Sequence, residues 1–134
     1  MIKKRKTKTP RQKQIDRMDV MCSEIVRRRA IARCGGCEHC LRAKTIGKLQ
    51  CSHFIGRTNL HTRFDLDNLS GIDGHCHMDL EHNPLTHKAW MDKHVGTEIV
   101  EELRIKSNLT DKVNLDEIEA FLKESLERWR SYEA

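Results

Sequence analysis

Closely spaced cysteines in two separate segments constrain the fold of this chain more than any other feature. Cys34, Cys37 and Cys40 recur at intervals of three in CGGCEHC, and Cys76 follows in GIDGHCH. Two thiolates in a Cys-x-x-Cys spacing on a turn can both reach one zinc ion, at about 2.3 Å. Because zinc sites typically take ligands from two separated loops, we predict a structural zinc ion that joins these segments.

The sequence leaves the fourth zinc ligand open. A second Cys-x-x-Cys pair ending at Cys76 would need a cysteine at position 73, where this chain has Asp73. A carboxylate oxygen can also bind zinc, at about 2.0–2.2 Å, which gives Cys37, Cys40, Asp73 and Cys76 as one ligand set. Other side chains that could supply the fourth ligand are Cys34, Cys51 and His75. The alternative without a metal is buried free thiols or a disulfide.

The composition indicates a small domain whose fold a bound zinc ion would stabilise. Of 134 residues, 34% are charged and only six are aromatic, so the hydrophobic core will be thin. The N-terminal sequence MIKKRKTKTPRQKQ lacks the apolar segment (h-region) of a secretory signal peptide. The sequence also contains no run of about 18 apolar residues, so we expect no membrane span. We therefore expect a cytoplasmic protein with no membrane partner, whose close cysteines bind metal.

Charge is distributed unevenly along the chain. Residues 98–134 hold ten acidic and six basic groups, a net charge of −4. Since the whole chain carries +5, residues 1–97 carry +9. A basic excess concentrated in one part of a chain favours a polyanionic partner, most simply nucleic acid.

The N-terminal part divides into an arm and a helix. Residues 1–10 are predicted to be a disordered basic arm, with five Lys or Arg residues before Pro10. Apolar residues at spacings of three and four from Ile15 to Val26 predict a basic amphipathic helix over residues 11–33. The basic residues of this helix that we expect to contact nucleic-acid phosphates are Arg27, Arg28 and Arg29.

The rest of the chain predicts short elements followed by helices. LRAKTIGKLQCSHFIGR suggests two short strands joined near Gly47, and DLDNLSGIDGHCH reads as a loop until about Gly74. A short helix is predicted from Gly74 through Glu81, because Pro84 disfavours helix at the residue before it. Further helices are predicted in THKAWMDKHVG, TEIVEELRIKSN and NLDEIEAFLKESLERWRSY, the last with Asn114 as its N-cap.

His53, Asn68 and His77 follow one another in an order and spacing that resemble the HNH nuclease motif. The second half of that motif usually reads Asn-Leu-x-x-apolar-Cys-x-x-Cys-His, and this chain has NLSGIDGHCH without a gap, with Asp73 in place of the first cysteine. CSHF-x-x-R, TRFDLDN, the Cys-His pair and HNP…W further resemble phage-associated HNH proteins related to the NinG/Rap recombination nucleases. The resemblance covers about residues 34–95.

The resemblance implies an α+β fold: a small zinc-stapled ββα-metal core, also called a His-Me finger. This HNH core would occupy residues 34–95, between the N-terminal helix and C-terminal helices over residues 96–134. In the family pattern the first histidine lies on the first strand, the asparagine in the loop after the second strand, and the last histidine on the helix.

The resemblance also implies roles for individual residues. His53 would be the general base, since its pKa near neutrality suits proton abstraction from water. Asn68 would hold the loop that aims His53, and His77 would bind a catalytic divalent cation. Arg57 would clamp a phosphate, with Arg63 as a second candidate for DNA contact.

This chain lacks one residue that binds the catalytic cation in many HNH nucleases. Those enzymes carry an aspartate immediately before the first histidine, and this chain has Ser52 there. Glu81 lies four residues after His77, on the same helical face, so we expect it to supply the missing carboxylate. Less well placed alternatives are Asp79 and His82. A carboxylate ligand favours Mg²⁺ or Mn²⁺.

Taken with the charge, the resemblance predicts a metal-dependent DNA endonuclease. It would hydrolyse phosphodiester bonds of duplex or branched DNA in phage recombination or replication, in the cytoplasm of a bacterial host. One alternative is a non-catalytic zinc module that binds nucleic acid through a degenerate HNH site. Another is an adaptor that docks proteins on its acidic C-terminal helices, which could also form a homodimer interface.

Overall fold

The computed structural model describes residues 6–132, and this part of the chain is α+β, as predicted. It has six α-helices and one two-stranded antiparallel sheet. In chain order the elements are α1 (Pro10–Cys34), β1 (Leu49–His53), α2 (Leu60–Arg63), β2 (Leu69–Asp73), α3 (Gly74–His82), α4 (Pro84–His94), α5 (Thr97–Ser107) and α6 (Leu115–Ser131). Short 3-10 turns precede the two strands, at Ile46–Lys48 and Leu66–Asn68. No helix in the described range has the length and apolar character that a membrane span requires.

Helix α1 is the longest element and begins at a clear cap. Thr9 Oγ1 accepts a hydrogen bond from the N–H of Gln12 at 3.1 Å, and Pro10 occupies the first turn, where its missing N–H costs nothing. Gly35 ends the helix in the left-handed region, at φ +69°. The helix predicted over residues 11–33 is therefore confirmed, one residue longer at each end.

The last residues of the predicted disordered arm, residues 1–10, are ordered. Lys8 Nζ lies 2.7 Å from the Asp16 carboxylate, and Thr9 and Pro10 form the start of α1. These three residues are thus held by the helix. The basic residues of the predicted arm that lie outside the described range are Lys3, Lys4 and Arg5.

The two strands pair with Leu49 opposite Asp73 and His53 opposite Leu69. Of the two strands predicted to join near Gly47, the second is confirmed as β1, but the first is wrong, because the described chain has only an isolated bridge between Gly36 and Ala43 before the 3-10 turn at Ile46–Lys48. The partner of β1 is instead β2, a segment that the sequence predicted to be a loop. All five residues of β2 are buried, so the segment lacks the polar–apolar alternation that marks a half-buried strand.

One face of β2 is buried because α1 packs directly across it. A Cβ added to Gly71 would lie 2.7 Å from the Cβ of Ala30 and 3.0 Å from the carbonyl oxygen of Val26, so this approach requires glycine. A second apolar cluster lies between β2, α3 and the loop after α1, and it contains Ala30, Cys37, Leu49, Ile72, Cys76 and Leu80. The sheet is therefore fixed between the long helix and α3.

The helices after the sheet follow the predicted boundaries closely. α3 packs against both strands and ends one residue after the predicted Glu81. Asn114 caps α6 as predicted, because its Oδ1 accepts from the N–H of Glu117 at 3.1 Å. α6 then packs along α1 through residues that include Leu122 and Leu126. This contact braces the helix that supports the sheet.

Candidate metal centre and adjoining cleft

Three cysteine thiols and one carboxylate meet where the loop after α1 approaches the junction of β2 and α3. Cys37 and Cys40 come from that loop, Asp73 ends β2, and Cys76 lies in the first turn of α3. One ligand atom from each of the four lies within 4.8 Å of the others. Tetrahedral zinc with bonds of about 2.3 Å separates its ligand atoms by about 3.8 Å. The four side chains are therefore close enough to hold a metal ion, as predicted.

The loop that carries the first two cysteines is a tight turn. The N–H of Leu41 donates to the carbonyl of Cys37 at 2.9 Å, and the N–H of Cys37 donates to the carbonyl of Arg42 at 3.1 Å. Leu41 adopts the left-handed region at φ +62°. A Cβ on Gly36 would lie 2.0 Å from the Arg42 carbonyl oxygen, so glycine is needed before the first ligand. This turn holds Cys37 and Cys40 on one side of the centre.

Asp73 serves two partners at once. Its Oδ1 accepts from the N–H of Cys76 at 2.8 Å and caps α3, while Oδ2 lies 3.3 Å from Cys40 Sγ. These contacts, the Cys76 N–H first, lower the pKa of Asp73 to about 2 against the opposing effect of burial. The carboxylate is thus ionised at neutral pH, which is the form that binds a cation.

The other three candidate ligands lie outside this cluster. Cys34 Sγ is 3.4 Å from the carbonyl oxygens of Ala30 and Gly36, at the end of α1. Cys51 packs against the apolar core beneath α1, where burial raises its pKa to about 12. His75 is exposed on α3. Among the described residues, the geometry favours Asp73 as the fourth ligand.

A cleft of about 540 Å³ opens beside the metal centre. The sequence-predicted residues that line it are His53 from β1, Arg57 from the loop after β1, and His77 and Glu81 from α3. Ser52 is buried at its wall, so the position where many HNH nucleases have aspartate does face this cleft. Four of the predicted catalytic and cation-binding side chains therefore come together.

His53 ends β1 with one ring nitrogen unsatisfied. Its Nε2 is buried and has no hydrogen-bond partner among residues 6–132. The backbone of Arg63 lies near the ring and favours the tautomer that carries its proton on Nδ1. In the neutral imidazole this tautomer places the free lone pair on Nε2. Burial first, and the charge of Arg57 second, lower the pKa of His53 to about 4.

We expect the ring of His53 to titrate with a midpoint near pH 4, which NMR of the histidine ring C–H signals measures directly. The ordinary histidine pKa is about 6.5, so burial keeps this ring neutral throughout the physiological range. The unfolded chain takes up the proton at higher pH than the folded chain. Protonation of His53 therefore lowers stability as the pH falls from about 6.5 to 4. Arg57→Ala should move the midpoint upward, and a wild-type midpoint above pH 6 would contradict the buried neutral ring.

Asn68 holds the segment that follows His53. Its Oδ1 accepts from the N–H of Ile55 at 2.8 Å, and its Nδ2 donates to the carbonyls of Ile55 and Thr62 at 3.0 and 3.1 Å. The residue lies in the 3-10 turn before β2, so the expectation that it follows the second strand is wrong. Asn68 comes before the second strand here, because β2 begins at Leu69. Its expected contact with the loop backbone is present.

We predict that Asn68→Ala lowers the free energy of unfolding by about 3 kcal/mol, because each buried partner left unsatisfied costs about 1–3 kcal/mol. Urea unfolding followed by circular dichroism measures this change. Asn108→Ala is the matched control, since Asn108 is exposed and its Nδ2 donates to the carbonyl of Arg104. Equal losses in the two variants would contradict a special role for Asn68.

His77 is held by a neighbouring strand. Its Nδ1 lies 2.7 Å from Oε1 of Gln50, which leaves Nε2 available to a ligand. Glu81 is exposed one turn later on α3 and lines the same cleft. The alternatives lie elsewhere: His82 Nδ1 bonds the carbonyl of Met78, and Asp79 is outside the cleft lining. Of the expected carboxylates, only Glu81 shares the cleft with His77.

His87 is a cleft residue that the sequence did not single out. His87 is buried and lines the cleft from α4. Its ring meets that of Phe54 edge to face, with centroids 5.1 Å apart. Burial, with smaller contributions from His77 and His39, lowers its pKa. The spacing of His87, Trp90, Met91 and His94 on one helical face was the available signal.

The arginines expected to bind DNA differ in how far burial and internal contacts already occupy their side chains. The prediction for Arg29 is wrong, because its guanidinium is buried and donates to the carbonyls of Leu66 and Leu69. Arg27 bonds Ser23, Arg28 pairs with Glu24 at 2.9 Å, and Arg63 pairs with Asp19 at 2.6 Å. Arg57 is exposed at the cleft. Contact of the last four with DNA stays a prediction.

Comparison with known proteins adds no assignment to this geometry. No family model, curated protein or solved structure matches the chain. The candidate site is thus defined by its own residues: a possible metal centre of three thiols and one carboxylate, and a cleft that contains histidine, arginine and glutamate.

Proposed function

We propose that this protein is a metal-dependent DNA endonuclease of the HNH type. The proposal assigns β1, β2 and α3 to the ββα-metal core and a structural zinc ion to the centre formed by Cys37, Cys40, Asp73 and Cys76. The observation that carries it is the convergence of His53, Arg57, His77 and Glu81 on one cleft, although they come from a strand, a loop and a helix. The order of these residues in the sequence supports the same proposal.

His53 acts as the general base in this proposal. Its Nε2 is buried and has no hydrogen-bond partner among the described residues, and the tautomer with the proton on Nδ1 leaves a lone pair on Nε2. The ring accepts a proton from a water molecule as that water attacks the scissile phosphorus. A low pKa keeps the base in its active, unprotonated form at neutral pH, at the cost of a weaker driving force for proton transfer.

His77 and Glu81 would hold the catalytic cation. Nε2 of His77 is available because Gln50 engages Nδ1, and Glu81 adds an exposed carboxylate on the same helical face. Within residues 6–132, neither His77 nor Glu81 belongs to a group of three or more His, Cys, Asp or Glu ligand atoms within 4.8 Å of one another. One nitrogen and one carboxylate fit Mg²⁺ or Mn²⁺, which keep several waters or phosphate oxygens as ligands. When bound, the cation would neutralise charge on the phosphate and on the departing oxygen.

Arg57 would position the substrate. Its side chain is exposed at the cleft, four residues after His53, and its guanidinium can grip two phosphate oxygens. The substrate proposed from the sequence resemblance is duplex or branched DNA, cut during phage recombination or replication in the bacterial cytoplasm. The basic charge of residues 1–97 agrees with a polyanionic substrate.

The proposal is tested by incubating purified protein with supercoiled plasmid and with a four-way DNA junction. We expect cleavage with Mg²⁺ or Mn²⁺ and none after EDTA is added in excess. Glu81→Gln should raise the metal concentration needed for half-maximal cleavage by about tenfold or more, as removal of one carboxylate ligand weakens binding. Asp79→Asn, on the same helix but outside the cleft, is the control. DNA binding without cleavage under every metal would instead support the non-catalytic zinc module.

A further inference from the structure

We propose that a second surface, formed by Arg42, Lys44 and Lys48, binds backbone phosphates of the same DNA and extends its path beyond the cleft. We call this surface the knuckle face. It lies on the loop between α1 and β1, next to the metal centre. The inference rests on the proposed function for the identity of the polyanion, DNA, and it adds a binding site that the sequence analysis did not assign.

The knuckle face is a basic groove with few internal partners. Its groove has a volume of about 360 Å³, and its charged lining contains these three cations against the single carboxylate of Asp73. Arg42 and Lys48 are exposed, and Lys44 is half-buried. In the part of the chain that the structure describes, none of the three side chains makes an ion pair or a hydrogen bond. Their charges remain available to a ligand.

This availability distinguishes the knuckle face from the arginines of α1. Arg27 and Arg28 donate to Ser23 and Glu24, and Arg29 is buried against backbone carbonyls. A phosphate would have to replace those contacts at α1, whereas it would add contacts at the knuckle face. Phosphate binding is favoured where cations are solvated and unpaired, because only loosely held counterions are displaced.

The knuckle face adjoins the catalytic cleft through Gln50. The Gln50 side chain packs over the start of α3, with its Nε2 3.2 Å from the position of a Cβ on Gly74. Gly74 lines the knuckle groove, and the Oε1 atom of Gln50 bonds His77 in the cleft. Lys48 comes two residues before Gln50 in the chain. A DNA strand held at His77 can therefore continue along α3 toward Lys48 and Lys44.

The alternative role for these cations is to compensate the metal centre. Three thiolates and one carboxylate around a divalent ion carry a net charge of −2, and the charge of Lys44 acts on Asp73. That role would make Lys44 important for zinc retention. It would leave the salt dependence of DNA binding unchanged, so the two roles are separable by measurement.

The test is a triple variant, Arg42→Gln, Lys44→Gln and Lys48→Gln, made in a His53→Ala background so that DNA stays intact. Binding of a fluorescein-labelled DNA duplex is followed by anisotropy at several KCl concentrations. Each lost phosphate contact lowers the slope of log Kd against log salt by about 0.9 in magnitude, so we expect a decrease of about 2–3. We also expect at least about tenfold weaker binding at 150 mM salt. The control replaces three exposed lysines elsewhere with glutamine: Lys93, Lys112 and Lys123.

Each result decides the inference. It is overturned if the triple variant keeps the parent slope, if it matches the lysine control, or if its zinc content falls along with its affinity. It is also overturned if the parent protein does not bind DNA. If the slope falls while wild-type protein cuts no DNA, the knuckle face stands and the nuclease proposal fails. If wild-type protein cuts DNA and the slope is unchanged, the nuclease proposal stands without the knuckle face.

Discussion

His53→Ala is expected to lower the rate of DNA cleavage about 10²–10⁴-fold, the usual contribution of a general base. The expected cause is loss of the Nε2 lone pair, which has no partner among the described residues and therefore no evident structural duty. The fold should persist, because the main contacts of β1 are its pairing with β2 and the packing of Leu49. Single-turnover cleavage at saturating enzyme separates this loss of chemistry from a loss of DNA binding.

The matched control for His53 is His82→Ala. His82 is an exposed histidine on α3 whose ring bonds only the carbonyl of Met78, outside the cleft. We expect it to change cleavage less than threefold. If the His53→Ala variant keeps activity within threefold of wild type, His53 is not the general base. His87, the other buried histidine of the cleft, would then be the next residue to substitute.

The sequence predicted the helices and the residues of the candidate metal centre better than the strands. Periodic apolar residues identify α1 and α6, because each helix buries one stripe and exposes the rest. β2 carries no comparable signal. Gly71 has low strand propensity and lies directly under α1, while Ser70 on the opposite face lies against Met91 of α4. Such a strand is imposed by tertiary packing, which a local pattern does not record.

Arg29 and His87 show that a local sequence pattern does not predict whether a side chain is buried. Arg29 looks like its neighbours Arg27 and Arg28, but its side chain points into the protein and holds the turn before β2. His87 looks like a surface histidine and is buried in the cleft. Both outcomes depend on how α1 and α4 pack against the sheet. A basic cluster or a lone histidine does not specify that packing.

The metal centre and the cleft share one structural junction. Asp73 ends β2, caps α3 and offers its second oxygen to the centre, while Cys76 is adjacent in sequence to His77. A movement of α3 relative to the sheet would therefore separate His77 from Gln50 and change the cleft that His77 shares with His53. The centre is expected to hold the cleft in shape in addition to stabilising the fold.

Loss of Cys76, one of the four candidate metal ligands, is expected to have the largest effect on stability. A structural zinc site can contribute about 10 kcal/mol or more to folding, so Cys76→Ser should lower the free energy of unfolding by more than about 5 kcal/mol. Chelation of zinc from the wild-type protein should have a comparable effect. Thermal melting by circular dichroism, together with elemental analysis of bound zinc, measures both quantities.

The controls for Cys76 decide which residue completes the centre. Cys34→Ser deletes the same sulfur at a position outside the cluster, and we expect full zinc content and a loss below about 1 kcal/mol. Asp73→Asn keeps an oxygen that can cap α3 but removes the charge, so zinc should bind more weakly while the helix still begins at Gly74. If Cys34→Ser loses zinc and Asp73→Asn keeps it, the fourth ligand is Cys34. If wild-type protein contains no zinc and its melting temperature does not change after chelation, the three cysteines are free thiols and Asp73 serves only as the cap of α3.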